Sequence, residues 1–241
     1  MTSRAALHWQ RLILPSFFAL PVLAVLLGLG SWQLQRLSWK TALLADLAAA
    51  QAAPPTAAIS PASYAHITAT GRFRHELEVL LGAEVRGTVL GARLVTPLER
   101  DGAPPLLVER GWVPQDKAGV ARPEGPVTVT GYARPSETAG ALAARDSPAQ
   151  RQFFTFDTMA IGAALGITPA PFGLTVVGAG PARSEGGFGA SPAPHRGALP
   201  DPARGFPAPR NPHLGYAITW FGLAIAWVVI FSLWGWRRVR A

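Results

Sequence analysis

Two stretches of this chain carry no charged residue over the thickness of a bilayer. The first runs from Leu12 to Gln35, with a Leu/Val/Ala-rich centre between Phe17 and Leu29. The second runs from Leu214 to Trp236. About 20 apolar residues suffice for a membrane helix, so both are membrane-span candidates. Pro15 and Pro21 fall near the start of the first, where a membrane helix tolerates them. A cleaved signal peptide is the competing reading of the first stretch, because basic residues precede a short apolar core. No good small-x-small cleavage site follows, only Gly28-Leu29-Gly30, and the stretch is read as retained. Thr41 to Ala53 is Ala/Leu-rich and continues as helix until Pro54-Pro55 stops it.

Between the two stretches the period shortens to that of strands. Tyr64 to Thr70, Leu77 to Leu81, Thr88 to Pro97, Pro105 to Arg110, Val127 to Tyr132, Phe153 to Phe156 and Phe172 to Val177 are short runs bounded by Gly, Pro or charge. Such spacing predicts a mostly antiparallel β domain. One helix interrupts it: Asp157 is a good N-cap and Gly166 a good C-terminal glycine around Thr158 to Leu165. From Gly178 to Pro212 apolar periodicity disappears, and seven glycines and eight prolines fall in 35 residues. That composition predicts a flexible connector without a functional constellation, Asp201 included. The predicted fold class is therefore an α+β membrane protein, with two transmembrane helices flanking a mostly antiparallel β domain that holds one short helix. The expected order is an N-terminal tail (1–11), helix (12–35), β-rich domain (36–177), connector (178–212), helix (213–236) and basic tail (237–241).

Charge refines this layout. The net charge is +8, from 22 basic and 14 acidic residues. Arg4 and Arg11 precede the first span, and Arg237, Arg238 and Arg240 follow the second. All 14 acidic residues lie between them with the other 17 basic ones, so the middle carries only +3. Basic excess beside both spans predicts cytoplasmic termini and a domain on the far side, periplasmic in a bacterium. Arg36 and Lys40 oppose this slightly, but long domains translocate regardless of such charges. A nucleic-acid binder would instead gather its basic residues on one domain face. Cysteine is absent, which excludes disulfides, thiolate metal sites and a cysteine nucleophile.

Candidate chemistry is sparse. No G-x-S-x-G, Walker A or H-E-x-x-H motif occurs. His66, His75 and His195 are scattered, and His75 reads as part of a solvated turn. Glu76, Glu78 and Glu84 read either as paired carboxylates or as a charged strand edge. Trp32 and Trp39, with Arg36 and Lys40, have the layout of a membrane exit. Trp234, Trp236 and the terminal arginines mark the other interface. The remaining feature is His213. With Asn211 as N-cap and Pro212 in the first helical position, His213 falls in the first turn of the second span. His213, Tyr216 and Trp220 then share a face. His213 is either an interfacial histidine or an axial ligand to a haem between the two helices, imidazole being a common iron ligand.

Four stretches together resemble one family. They are Gly30-x-Trp32-Gln33-x-x-Arg36-x-x-Trp39-Lys40; Gly71-x-Phe73-x-His75 with Val95-Thr96-Pro97; Arg110-Gly111-Trp112-Val113-Pro114; and Asn211-x-His213-Leu214-x-Tyr216-Ala217-x-Thr219-Trp220-Phe221. In this order, between two spans, they resemble the surfeit-locus, or Surf-one, cytochrome c oxidase assembly proteins. Pro212 and the Gly/Pro-rich insert depart from the family pattern.

The resemblance implies a two-span inner-membrane protein, not an enzyme, that assists the biogenesis of haem-copper oxidases. It implies binding of haem a and its supply to oxidase subunit I, with other assembly or haem-synthesis proteins and the lipid bilayer as further partners. By resemblance His213 is the haem iron ligand, and Trp32, Gln33, Arg36, Tyr216 and Trp220 are pocket candidates. Arg36 could pair with a haem propionate. Two other readings stand beside this one. One is a haem-free chaperone that contacts subunit I through protein surfaces alone. The other is a membrane-tethered hydrolase using Glu76 or Asp157.

Overall fold

The structure is a computed structural model that describes residues 3–178, 198–207 and 209–240. The chain divides into two compact units, one made of its two ends (1–44 and 210–241) and one of the middle (45–209).

The first unit holds α3 (His213–Arg240) and all but the last two turns of α1 (Ser3–Ala52). Both contain a stretch long and apolar enough to cross a membrane. α1 continues well past Gln35 and ends where Pro54-Pro55 removes two backbone donors. Along α1 the positions withdrawn from solvent form a stripe through Leu12, Ser16, Ala19, Leu23, Leu26, Gly30, Gln33, Leu37, Lys40 and Leu44, with Pro15 and Leu29 beside it and Leu47 and Ala50 beyond. On α3 they include His213, Ala217, Trp220, Ala224, Trp227 and Phe231. Steps of three and four alternate on both helices, the spacing of a coiled-coil seam. The helices run antiparallel. At one end the Trp227 indole N–H donates to the Ala19 carbonyl at 3.1 Å, which satisfies a donor that hydrocarbon would leave unpaired. The other end carries Gln33 and His213.

The second unit is built on one sheet. Its strands are β1 (Thr56–Ala57), β2 (His66–Phe73), β3 (Val79–Arg86), β4 (Val89–Arg100), β5 (Ala103–Pro114), β6 (Pro126–Pro135), β7 (Gln152–Phe153) and β8 (Phe172–Val176). The spatial order is β1-β2-β6-β8-β5-β4-β3-β7, with β2 also pairing β4. That extra pairing, Arg72 opposite Glu99 and Phe73 opposite Leu98, closes β2, β6, β8, β5 and β4 into a five-stranded ring. Most pairings are antiparallel, as the alternation predicted; β1–β2, β3–β7 and β5–β8 are parallel.

Strand alternation sorts the core. Leu106 and Val108 of β5 pack with Ile67, Ala69, Leu98, Ala133 and Leu174. Leu107, on the opposite face, packs with Val79, Leu81, Val95, Phe153, Phe156 and Ile161. Burial on both faces is why the centre of β5 reads as an unbroken apolar run. Ile161 comes from α2 (Thr158–Leu165), which has the boundaries its caps predicted. Asp157 accepts from the N–H groups of Met159 and Ala160, and Gly166 ends the helix in the left-handed region at φ 68°. The Asp157 carboxylate is thereby committed to capping, which leaves the hydrolase reading without one of its two residues.

Three sequence expectations are overturned here. Glu78 is not a solvated strand edge: it is 3% exposed and chelated by Arg122, with Nη2 to Oε2 at 2.9 Å. His75 is not in a solvated turn. Its Nδ1 faces Glu78 Oε1 at 3.3 Å and its Nε2 faces the Pro123 carbonyl at 3.0 Å. Asp201 does belong to a constellation, forming a buried ion pair with Arg86, which Glu84 also holds at 2.7 Å.

The connector prediction is corrected in its described part. Residues 198–207 lie along the domain as a strap, with bridges from Leu199 to Val120, Asp201 to Trp112 and Ala203 to Val177. Gly111 makes this possible. Its φ is 137°, and a Cβ there would lie 2.2 Å from the Asp201 carbonyl oxygen. Residues 179–197, with His195, lie outside the described residues.

Candidate functional site

The site forms where the seam of the helical unit turns polar. Gln33 is the first polar side chain on the buried stripe of α1 after Ser16, and only 8% of it is exposed. His213 opens α3 on the facing stripe. Nδ1 of His213 lies 2.7 Å from Oε1 of Gln33. With the carboxamide oxygen as acceptor, Nδ1 is the donor and Nε2 is the nitrogen left for a ligand. Nε2 has no hydrogen-bond partner among the described residues.

Asn211 joins the same end of the seam. Its Nδ2 donates to Thr41 Oγ1 at 3.2 Å, and its buried Oδ1 has no hydrogen-bond partner among the described residues. The expected capping role is therefore not the observed one. α3 begins at His213, one residue later than the cap would set it, and the carboxamide reaches across to α1 instead. One turn further in, Gly30 admits the ring of Phe221: a Cβ on Gly30 would lie 2.8 Å from two ring carbons. The helices thus approach closely just beside the Gln33–His213 pair.

The other candidates flank this pair. Arg36 precedes the seam position Leu37, and Tyr216 precedes the seam position Ala217. In an antiparallel pair those positions share one edge of the seam. Tyr216 is 54% and Trp32 53% exposed. The Arg36 guanidinium stacks on Trp39, 3.9 Å from the ring centroid, a cation–π contact. Trp220 is half-buried on the seam itself. The structure therefore joins His213 to Gln33 directly and sets Arg36 and Tyr216 on one edge beside them. Trp32 and Trp39 present their rings outward. The tie between Gln33 and His213 had no sequence signal by itself; the period of the α1 stripe, read through the polar residue, would have pointed to it. Among the described residues no group of three or more His, Asp or Glu side chains converges, so metal ligation at this site would rest on a single imidazole.

A half-buried imidazole tied to a carboxamide, between two membrane-length helices, is the setting in which the relatives become informative. Residues 20–225 match the model of the SURF1 family. The chain belongs to the SURF1 family. Its members include the SURF1-like protein of Monosiga brevicollis, 27% identical over 254 residues that cover 96% of this chain and 87% of that protein. Surfeit locus protein 1 of Homo sapiens is 28% identical over 251 residues, 91% of this chain and 74% of that protein. The cytochrome oxidase assembly protein SHY1 of Saccharomyces cerevisiae is 28% identical over 182 residues, covering 68% of this chain and 46% of the yeast protein. The SURF1 match takes in most of α1, the domain and the opening turns of α3, so Gln33 and His213 both lie inside it.

Proposed function

We propose that this chain is an assembly factor for a haem-copper cytochrome c oxidase that holds haem a at the His213 end of its helix pair. In this reading both helices cross a bacterial inner membrane, with both termini cytoplasmic and the β domain periplasmic. The domain contacts oxidase subunit I or its assembly partners. The chain acts by holding and presenting, not by catalysis.

The observation that carries the reading is the hydrogen bond from His213 to Gln33. Histidine ligands of metals usually donate their second ring N–H to a fixed acceptor, which orients the ring and raises its basicity. Here that acceptor is present, and Nε2 is left for a ligand. The buried and unpaired Oδ1 of Asn211 marks further unused polar capacity at the same level. These residues fit one axial position of a haem. His213 would hold the iron, and Gln33 would orient His213. Arg36 is suited to a propionate, because its planar fork matches a carboxylate, and Tyr216 to a porphyrin edge. When bound, the haem supplies the cargo; the chain's own residues bind it and keep it from water.

Membrane fractions from cells that make haem a provide the test. Protein purified from them is expected to show a Soret band that His213→Ala loses, while both forms retain subunit I on co-purification. Equal haem content in the two forms would reject the ligand assignment. Co-purification of subunit I without any Soret absorbance would favour the haem-free chaperone.

A further inference from the structure

The β domain holds a second polar site, independent of the helix pair, that joins two of the sequence motifs the proposed function leaves unused. Arg110, from Arg110-Gly111-Trp112, stacks its guanidinium over Phe73 of Gly71-x-Phe73-x-His75, 4.7 Å from the ring centroid. Phe73 packs against the core inside the five-stranded ring, and Arg110 lies next to Glu78, beside the turn that carries His75.

The charges there do not balance. Glu78 is the buried carboxylate at the centre, and Arg122 takes both its oxygens, Nε at 3.2 Å from each and Nη2 at 2.9 Å from Oε2. His75 Nδ1 lies 3.3 Å from Oε1. With those partners the carboxylate is nearly saturated. Arg110 is 8% exposed. Its Nη2 donates to the Ala121 carbonyl at 2.5 Å. Its Nη1 reaches only to 3.5 Å from Glu78 Oε1 and, although buried, makes no hydrogen bond among the described residues. A buried donor without a partner is costly, most of all on a charged group, and few are left so in folded proteins. Lys117 adds to the excess. It is half-buried, and burial holds its ammonium below the ordinary lysine range; Glu78 opposes this, while Arg122 and Arg151 push the same way. Arg151 also donates to the Glu76 carbonyl, and the Glu76 carboxylate is occupied by Arg74. Two fixed guanidinium groups, Arg110 and Arg122, therefore face one carboxylate.

We propose that this cluster is an oxyanion site, in which the exposed side of Arg122 and Arg110 Nη1 bind a carboxylate or phosphate group. The ligand supplies the missing negative charge and the missing acceptor for Arg110. Planar guanidinium groups suit either anion. Access is by way of Arg122, whose side chain is 40% exposed.

The full chain, purified in detergent, can be titrated with sodium phosphate and with sodium acetate at constant ionic strength, chloride being the balancing ion. Thermal midpoint and the arginine Nε–Hε resonances are the readouts. Saturable binding of at least one oxyanion beyond the chloride control is expected, with affinity about tenfold weaker in Arg122→Ala, the loss of one charge-assisted contact, and weaker also in Lys117→Ala, the loss of a neighbouring charge. Arg145→Ala, at an exposed position, should bind as the parent does. A response to phosphate alone assigns a phosphoryl group, and a response to acetate alone a carboxylate. The proposal fails if neither oxyanion exceeds chloride, or if binding is unchanged in both Lys117→Ala and Arg122→Ala. Haem content plays no part in these readouts, so the outcome is independent of the His213 assignment.

Discussion

The ring of Phe221 fills the space that a side chain on Gly30 would occupy, with two ring carbons 2.8 Å from the site of a Cβ. A glycine in a helix costs about 1 kcal/mol relative to alanine, so the close approach must return more than that. Gly30→Leu should push the helices apart and lower the thermal midpoint in detergent, by the equivalent of about 1–3 kcal/mol for overpacking. Gly28→Ala is the matched control, because nothing lies within 4 Å of a Cβ there; it should be neutral or stabilising. Equal behaviour of the two variants would mean that Gly30 does not set the helix spacing.

Gln33 should act on His213 without being a ligand itself. In the haem-free protein, the 15N shifts of the His213 ring report its tautomer, and the Nδ1–H form is expected. Gln33→Leu should mix the tautomers and, in cells making haem a, reduce haem retention by about 10–100-fold. Gln33→Glu should keep the Nδ1–H form and retain haem. An unchanged tautomer in Gln33→Leu would remove Gln33 from this role.

The two helices and α2 were legible in the sequence because local signals define them: length without charge for α1 and α3, and Asp157 and Gly166 for α2. Strand positions were legible for the same reason, through alternation. What the local pattern does not contain is pairing between distant residues. Glu78 and Arg122 are 44 residues apart, and Arg86 and Asp201 are 115 apart. A charge in a strand looks solvent-facing until its partner is known, which is why Glu78, His75 and Asp201 were misread. Gln33 posed the same difficulty at a separation of 180 residues, although the seven-residue rhythm of the α1 stripe already placed it on the buried face.

Gly111 should hold the strap in place. Gly111→Ala puts a Cβ where the Asp201 carbonyl lies and asks alanine to adopt a φ of 137°. Hydrogen exchange at residues 199–203 should accelerate at least tenfold, with the ring core around Leu106 and Leu174 unaffected. Asp201→Asn, which keeps the backbone bridge, should have a smaller effect. Exchange in Gly111→Ala that matches the parent would show that the strap does not depend on this glycine.

A buried network on the outer face of the ring predicts an alkaline limit to stability. Glu109 is 2% exposed, held by Arg93 at 2.9 Å and by Arg134. Burial raises the Tyr132 phenol above its ordinary value, and the Glu109 charge adds to this, against Thr175, Arg134 and Arg93. A raised folded-state value means that Tyr132 contributes stability below the unfolded pKa of about 10, lost as pH rises through the folded value. Denaturation from pH 9 to 11 should therefore show a decline that Tyr132→Phe reduces. The same slope in both proteins would assign it to other groups.

The strap has a consequence for how this chain can change. Val177 pairs with Ala203, and the Gly178 N–H donates to the Ala203 carbonyl at 2.8 Å. Gly178 and Ala203, 25 residues apart in sequence, are thus stitched together by backbone alone. The closure depends on no side chain, so it tolerates any residue at 177 and 203 that keeps its N–H and carbonyl in place, proline excepted.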